Sequence, residues 1–547
     1  MSKKKVLFVS ESHNMASGFG TYAKQVLPRL AATGKYELAE FASYGDFNAV
    51  NDLDWLYFSN TPTTEEEQAI FNQNTANHFG LWRFDKVVMH FKPDIVLTYR
   101  DPWMDQWIAQ SSNRPYFHWV WMPTVDSSPQ KREWIENFGE CDALLAYSEF
   151  GAKTMLEESN NKLNVIGCAS PAIDPEIYKP VPSKRALRKS LGIDPDINIF
   201  GTVMRNQRRK LYPDLFKTFR SFRIFLDKAP AEIADKTFLY LHTSYPERSG
   251  WNLSQGIQEF DLQNKVLSTY ICRACKKFSC LPFQDAITTC KHCNARAAVM
   301  PSVALGLEIP DLIKIYNILD LYVQYAICEG FGMPQVEAAA CGVPIAAVNY
   351  SAMEDVIKFT KGYPIRFKLS RELETGADRA LPDNEHLAEI LEEHFSLSDE
   401  DRNRKMLETR MATMKRYNWD ETAKVWEDYV DEYSPTGNQG KWDAPYQHID
   451  IPPSPPQGLD PETFVRWCYG ALLKEPDHAY SYEATQLIQS LAFGAHTETL
   501  EPFNIDTVWT IMTQKAKNKL LCEQIRTGQQ QMVIDEFIKQ AYQRRKQ

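Results

Sequence analysis

The sequence predicts an α/β protein of two successive parallel-sheet domains, with a small metal-binding insert in the second and a helical module appended. Three features carry that reading. Short, continuous apolar runs recur between segments of helix or loop length, as expected of strands buried on both faces. The series breaks at a proline-rich stretch, Tyr178-Lys-Pro-Val-Pro182, and then starts again. The length of 547 residues exceeds what one core holds and suggests about three domains of roughly 100–200 residues.

In the first series, residues 5–10 read as a buried strand, and the amphipathic stretch 21–32, which follows a polar loop, reads as a helix. Residues 93–98, 115–120, 143–146 and 163–166 add further strands, so residues 1–182 form the first domain. Residues 183–433 form the second. Its strands at 197–203 and 237–242 resume at 319–324 and 343–348, and a helix at about 419–433 closes it. The interruption at 268–300 carries the closely spaced cysteines. Residues 434–460, including Ile451-Pro-Pro-Ser-Pro-Pro-Gln-Gly458, hold too much Pro and Gly for a helix or central strand and read as a linker. Beyond it, residues 461–547 show helical apolar spacing at Phe464, Trp467 and Leu472, at Trp509 and Met512, and at Ile534, Phe537 and Ile538. Few contacts cross a linker, so this helical module is expected to be separable.

Composition narrows the function classes. A formal net charge of -10 disfavours phosphate backbones or anionic membranes as partners of most of the surface. The apolar run at residues 6–9 is too short for a signal-peptide core, and no stretch reaches the length of a membrane span. The expected compartment is therefore the cytoplasm. There, close pairs among the eleven cysteines point to metal or catalysis rather than disulfides. Cys272-Arg-Ala-Cys275 and Cys290-Lys-His-Cys293 are two C-x2-C knuckles fourteen residues apart, a spacing that lets four thiolates surround a structural zinc. Cys280 and His292 read as bystanders. Arg273, Lys276, Lys277 and Lys291 make the insert locally basic.

Two constellations carry the chemistry. Cys328-Glu329-Gly330-Phe331-Gly332-Met-Pro-Gln-Val-Glu337 places one carboxylate in a glycine-rich loop after a buried strand, and a second in what reads as the first turn of the following helix. Loop N–H groups and a helix N-terminus at one point suit a phosphate, and carboxylates accept from vicinal hydroxyls. A plain charge compensating the helix dipole is the bland alternative for Glu337. Gly201-Thr-Val-Met-Arg205-Asn-Gln-Arg-Arg-Lys210 delivers an Arg and a Lys to the carboxyl edge of the second sheet, where ligands of open α/β sheets bind. A solvated basic loop is its bland alternative.

Together these residues resemble the retaining, family-4 type of glycosyltransferases of GT-B architecture, in which two Rossmann-like domains face each other; the match covers about residues 1–433. The Glu329-x7-Glu337 pattern is its most specific element, and Arg205-x4-Lys210 supports it. The resemblance implies a nucleotide diphosphate sugar as donor. Glu329 would contact the sugar, Glu337 the ribose hydroxyls, and Arg205 with Lys210 the diphosphate, without a catalytic divalent metal. Ser17-Gly18-Phe-Gly20 resembles the family's glycine-rich loop, and Asp101-Pro-Trp103 another of its landmarks. For the acceptor side the sequence offers His118 and Asp126. His118, in an aromatic strand, reads more readily as a packed side chain, and Asp126 as the acceptor residue.

The insert and tail make the chain similar to enlarged glycosyltransferases of tailed bacteriophages, some of which modify hydroxymethylated cytosine in DNA. A saccharide acceptor stays open beside a modified DNA base, as does a protein partner of the insert or tail. Two other readings compete. Gly18-Phe-Gly20-Thr-Tyr-Ala23 fits the fingerprint of an NAD- or flavin-dependent oxidoreductase, with Glu37 or Glu40 as ribose acid, but residues 11–17 separate strand from glycines. An inactive glycosyltransferase-like scaffold is disfavoured by the intact Glu and Arg/Lys pairs.

Overall fold

The computed structural model describes residues 3–15, 17–45, 52–216, 221–302, 304–444, 449–497, 499–530 and 536–543. Residues 445–448 of the expected linker, and 498, 531–535 and 544–547 of the expected module, lie outside them.

The first domain is built on a seven-stranded parallel sheet of β1 (Lys4–Glu11), β2 (Tyr36–Ser43), β3 (Leu56–Ser59), β4 (Ile95–Thr98), β5 (His118–Trp121), β6 (Ala143–Ala146) and β7 (Val165–Cys168), in the order β3-β2-β1-β4-β5-β6-β7. Val6 to Val9 are fully buried, because helices cover both faces of the sheet. The strand at Tyr36–Ser43 escapes the sequence reading because it carries two glutamates. One of them, Glu40, is fully buried and accepts from His13 N–H (2.9 Å) and Trp55 Nε1 (2.9 Å). It is committed to internal bonds, which removes it as a ribose acid.

The second sheet contains β8 (Asn198–Val203), β9 (Thr237–His242), β10 (Val266–Cys272), β11 (Phe278–Pro282), β12 (Ala298–Val299), β13 (Leu321–Gln324), β14 (Ile345–Val348) and β15 (Tyr363–Ile365). Its order is β11-β10-β9-β8-β13-β14-β15. The insert strands β11 and β12 pair antiparallel with β10 at one edge, and the remaining pairs are parallel. A hairpin, β16 (Phe367–Arg371) with β17 (Asp378–Pro382), stands beside this sheet. The closing helix Trp419–Glu432, capped by Asn418, crosses back to the first domain. There Trp426 Nε1 donates to Tyr22 Oη (2.7 Å) and Thr422 Oγ1 to the Ser170 carbonyl (2.6 Å).

The segment read as a linker and the helical tail both touch the first domain. Residues 434–444 lie on the first domain. Gly440 N–H donates to the Tyr116 carbonyl (2.8 Å), and Trp442, 4 % exposed, donates from Nε1 to Pro93 (3.1 Å). The tail helices Pro461–Trp467, Tyr482–Phe493 and Ile505–Arg526 bury a core of their own. The last of these is tied back by Glu523, which accepts from Tyr116 Oη (2.7 Å), and by Arg526, which donates to Trp442 and Ala444 carbonyls. Helix Glu536–Gln543 inserts Phe537, Ile538 and Ala541 into the core of the first domain. Proline and glycine exclude regular structure here; they do not exclude packing, because an extended chain can still bury an indole.

His478 marks the same junction, lying between Glu140 of the first domain (3.5 Å) and Glu475 of the tail (3.3 Å). The hydrogen bonds to Glu140 and Glu475 raise its pKa to about 9, although burial opposes them. A raised folded pKa means that the stabilisation is present in full below about 6.5 and is lost as pH rises through about 9. For this partly exposed pair it should amount to about 1–3 kcal/mol. Thermal unfolding of His478→Gln beside the native chain should show a gap that is widest near pH 6 and closes by about pH 9.5. A gap independent of pH would show that the charge on His478 does not hold the tail.

Candidate functional site

The carboxyl ends of β4 and β5 in the first domain and of β8 and β13 in the second converge on one cleft. After β13, Glu329 is 5 % exposed. One carboxylate oxygen pairs with Lys210 Nζ and accepts from Gln324 Nε2, and the other pairs with Arg209 (2.8 Å). The Glu329 N–H donates to Ser351 Oγ (3.0 Å), which fixes the loop. Burial and the adjacent Arg209 push the Lys210 ammonium well below its ordinary pKa, against Cys328 and Asp126. Arg205, by contrast, is half-exposed and turned to Glu247 (Nε to Oε1, 2.7 Å). The structure thus joins Lys210 to Glu329 and sets Arg205 at the rim. Arg209 and Gln324 escaped the sequence reading. Arg209 stands next to Lys210 in the same motif, but no spacing rule distinguishes it from Arg208.

Across the cleft, Asp126 accepts from Arg379 of β17 (3.1 Å) and from Cys328 Sγ (3.3 Å), so it meets the second domain directly. Arg379 is clamped in turn by Glu372 (2.8 Å). Thr124 abuts the glycine loop so closely that a Cβ on Gly330 would fall 2.4 Å from its methyl group, which restricts that position to glycine. Burial pushes the Asp101 carboxyl above the usual range, against a hydrogen bond from Thr124. His118, the other acceptor-side candidate of the sequence, lies apart from this contact. It begins β5, at the opposite end of the strand from the cleft, with Nε2 2.9 Å from Tyr429 Oη and its ring packed on Tyr429 and Tyr433.

Gly332 has φ +86°, a backbone that favours glycine, and leads into helix Met333–Ala340 without a side-chain cap. Phe331, 7 % exposed, packs against Tyr417. Glu337 is the fifth helical residue rather than part of the first turn, so compensation of the helix dipole does not account for it. Its oxygens accept from Tyr178 (3.0 Å) and Tyr316 (2.5 Å), and burial raises its pKa against those two bonds. Gly18 and Gly20 belong to helix Gly18–Ala32 itself, capped by Ser17, whose Oγ accepts from Gly20 N–H (3.0 Å). A Cβ on Gly20 would strike the Met15 carbonyl at 2.4 Å, whereas Gly18 faces open space.

In the insert, the sulfurs of Cys272, Cys275, Cys290 and Cys293 lie within 4.8 Å of one another, with Cys272 to Cys293 at 3.7 Å and Cys275 to Cys290 at 3.6 Å. A tetrahedron with Zn–S bonds of about 2.3 Å has edges of about 3.8 Å, so the four thiols fit a zinc ion. The N–H groups of Cys275 and His292 point at Cys272 and Cys290 sulfurs (3.5 and 3.3 Å), as outer-shell donors to thiolates do. Among the described residues this is the one such cluster, and no helix is long and apolar enough to cross a membrane.

Residues 296–394, which contain Glu329 and Glu337, match the family described as glycosyl transferases group 1. No curated protein matches the chain. The fold is similar to a sucrose-phosphate synthase from Thermosynechococcus elongatus (TM-score 0.55, 15 % identity, 79 % of this chain and 99 % of that one). It is also similar to a glycosyltransferase from Rickettsia africae (0.54, 15 %, 79 % and 99 %). A third similar structure is Anabaena HepE in complex with UDP and glucose (0.51, 15 %, 79 % and 100 %). The architecture is GT-B: two Rossmann-like domains, here with a four-cysteine insert and a helical C-terminal region.

Proposed function

We propose that this chain is a glycosyltransferase that moves a sugar from a nucleoside diphosphate to a hydroxyl acceptor with retained anomeric configuration. The carrying observation is the buried Glu329, held by Lys210 and Arg209 at a sheet edge inside the segment that matches the group 1 family, with Asp126 of the other domain across the cleft. Glu329 receives the sugar hydroxyls and Glu337 the ribose. Lys210 and Arg205, with the Gly18 N–H, the Gly330-Phe331-Gly332 loop and the close backbone approach that Gly20 allows, meet the diphosphate. Half-exposed Arg205 gives up Glu247 for phosphate oxygens, which its fork of donors matches. These cations stabilise charge growing on the leaving diphosphate, the work a divalent metal does elsewhere. Retention follows if the leaving phosphate takes the proton of an acceptor attacking from the same face. Asp126, fixed by Arg379, orients that acceptor. UDP is the first nucleotide to test, since HepE is a complex with UDP and glucose. The insert and tail support the reading of an enlarged, bacteriophage-type member, and the eleven free cysteines support a reducing cytoplasm.

A screen of nucleotide sugars, read as nucleoside diphosphate release and followed by NMR of the product's anomeric centre, tests both parts. No release from any donor would sink the enzyme, and an inverted product would sink retention. Glu337→Ala should weaken binding of bare UDP by about 1.5–3 kcal/mol, whereas Glu329→Ala should leave it unchanged. Equal effects in calorimetry would overturn the division of roles.

The four-cysteine cluster is proposed to hold one structural zinc per chain. Cys272, Cys275, Cys290 and Cys293 would be its ligands, and a closed set of four thiolates leaves no open position for catalysis. Elemental analysis after chelator-free purification should find about one zinc per chain, and Cys275→Ser with Cys290→Ser should remove it. A metal-free native chain would refute the assignment.

A further inference from the structure

The insert departs from the rest of the chain in charge. Residues 268–300 contain five cations, Arg273, Lys276, Lys277, Lys291 and Arg296, against one carboxylate, Asp285, a local charge of +4 within a chain of -10. All five cations are exposed, and none forms an ion pair with a carboxylate among the described residues. They are also held on one stiff unit. The two knuckles repeat a single turn, with Lys276 N–H donating to the Cys272 carbonyl (2.9 Å) and Asn294 N–H to that of Cys290 (3.0 Å). The clustered sulfurs pin one knuckle to the other. Both turns place their last residue at φ +59°. Asn suits that conformation and Lys does not, so the turn itself gives no reason for a lysine at 276.

From this we infer that the insert is a docking surface for the phosphate backbone of nucleic acid. A protein partner would need an apolar centre to bury, and the only large apolar side chain the knuckles expose is Ile287. Attraction must therefore come from charge and polar donors, which is how backbones are held. With the insert at +4, the rest of the chain carries a formal net charge of -14, which favours contact of a polyanion at this edge. Strand β10 is separated from β13, which precedes Glu329, by β9 and β8, about 14 Å at ordinary strand spacing, so the surface lies outside the transfer cleft. The inference does not rest on the proposed transferase activity.

Fluorescence anisotropy of the full chain with a labelled duplex, without donor nucleotide, tests it. Binding is expected at about 50 mM salt and should weaken on a log-log slope of about -3 to -4.5, as for roughly three to five phosphate contacts. Lys276→Glu with Lys277→Glu and Lys291→Glu should lower affinity at least about tenfold with unchanged metal content, while Glu329→Gln binds like the native chain. Absent binding at low salt, full binding by the triple variant, or equal competition by a polyglutamate peptide would each overturn the inference. The nucleotide-sugar screen of the native chain reads the transferase independently, so a failure here is distinguishable from a failure of that reading.

Discussion

Glu329→Gln should lower turnover by about 10²–10³, because the substituted amide keeps the shape but presents no charge to Lys210 and the sugar. Arg205→Ala should lose turnover on a similar scale, about 10² or more, with little change in thermal stability, since its side chain is half-exposed and paired only at the rim. Lys210→Ala combines both kinds of loss. It removes a cation from the leaving diphosphate and leaves buried Glu329 with Arg209 as its only cationic partner, so unfolding should become easier by about 3–5 kcal/mol. Steady-state rates beside calorimetric unfolding separate the two. If all three variants transfer sugar within about threefold of the native rate, the site is elsewhere.

The second large effect is expected from ending the chain near Gly440. Such a truncation withdraws Trp442, Phe537 and Ile538, each at most 4 % exposed and packed into the first domain. At about 1.5–3 kcal/mol for each large apolar side chain, the loss is about 5–9 kcal/mol, comparable with the whole stability of a domain. The truncated chain should therefore aggregate or unfold at growth temperature, and Phe537→Ala alone should cost about 3–5 kcal/mol. A soluble truncation melting within about 2 °C of the full chain would restore the tail to a separable module.

The site was partly legible because its parts are local. Glu329 and Glu337, the glycine loop between them, and the motif that holds Lys210 each lie in one short stretch whose spacing already implies strand, loop and helix. The two cysteine knuckles were legible for the same reason, since four ligands at two fixed spacings have few other uses. What spacing could not reveal is which of three neighbouring arginines turns inward. Arg209 faces Glu329 and Arg205 faces Glu247 because of where β8 ends relative to β13, which is a property of strand order.

By itself, then, the sequence determined the two-sheet architecture, the carboxyl-edge position of the carboxylates and the four-thiol insert. Buried parallel strands, glycine turns and ligand spacings are written in local runs of residues. Only the tertiary structure decided that His118 lies at the far end of its strand, that Glu337 is held by Tyr178 and Tyr316, that Asp126 is locked to Arg379, and that Trp442 and the last helix of the tail enter the first domain's core. Each joins residues more than twenty, and up to several hundred, positions apart or depends on which end of a strand faces the cleft, and packing of that range leaves no periodicity to read.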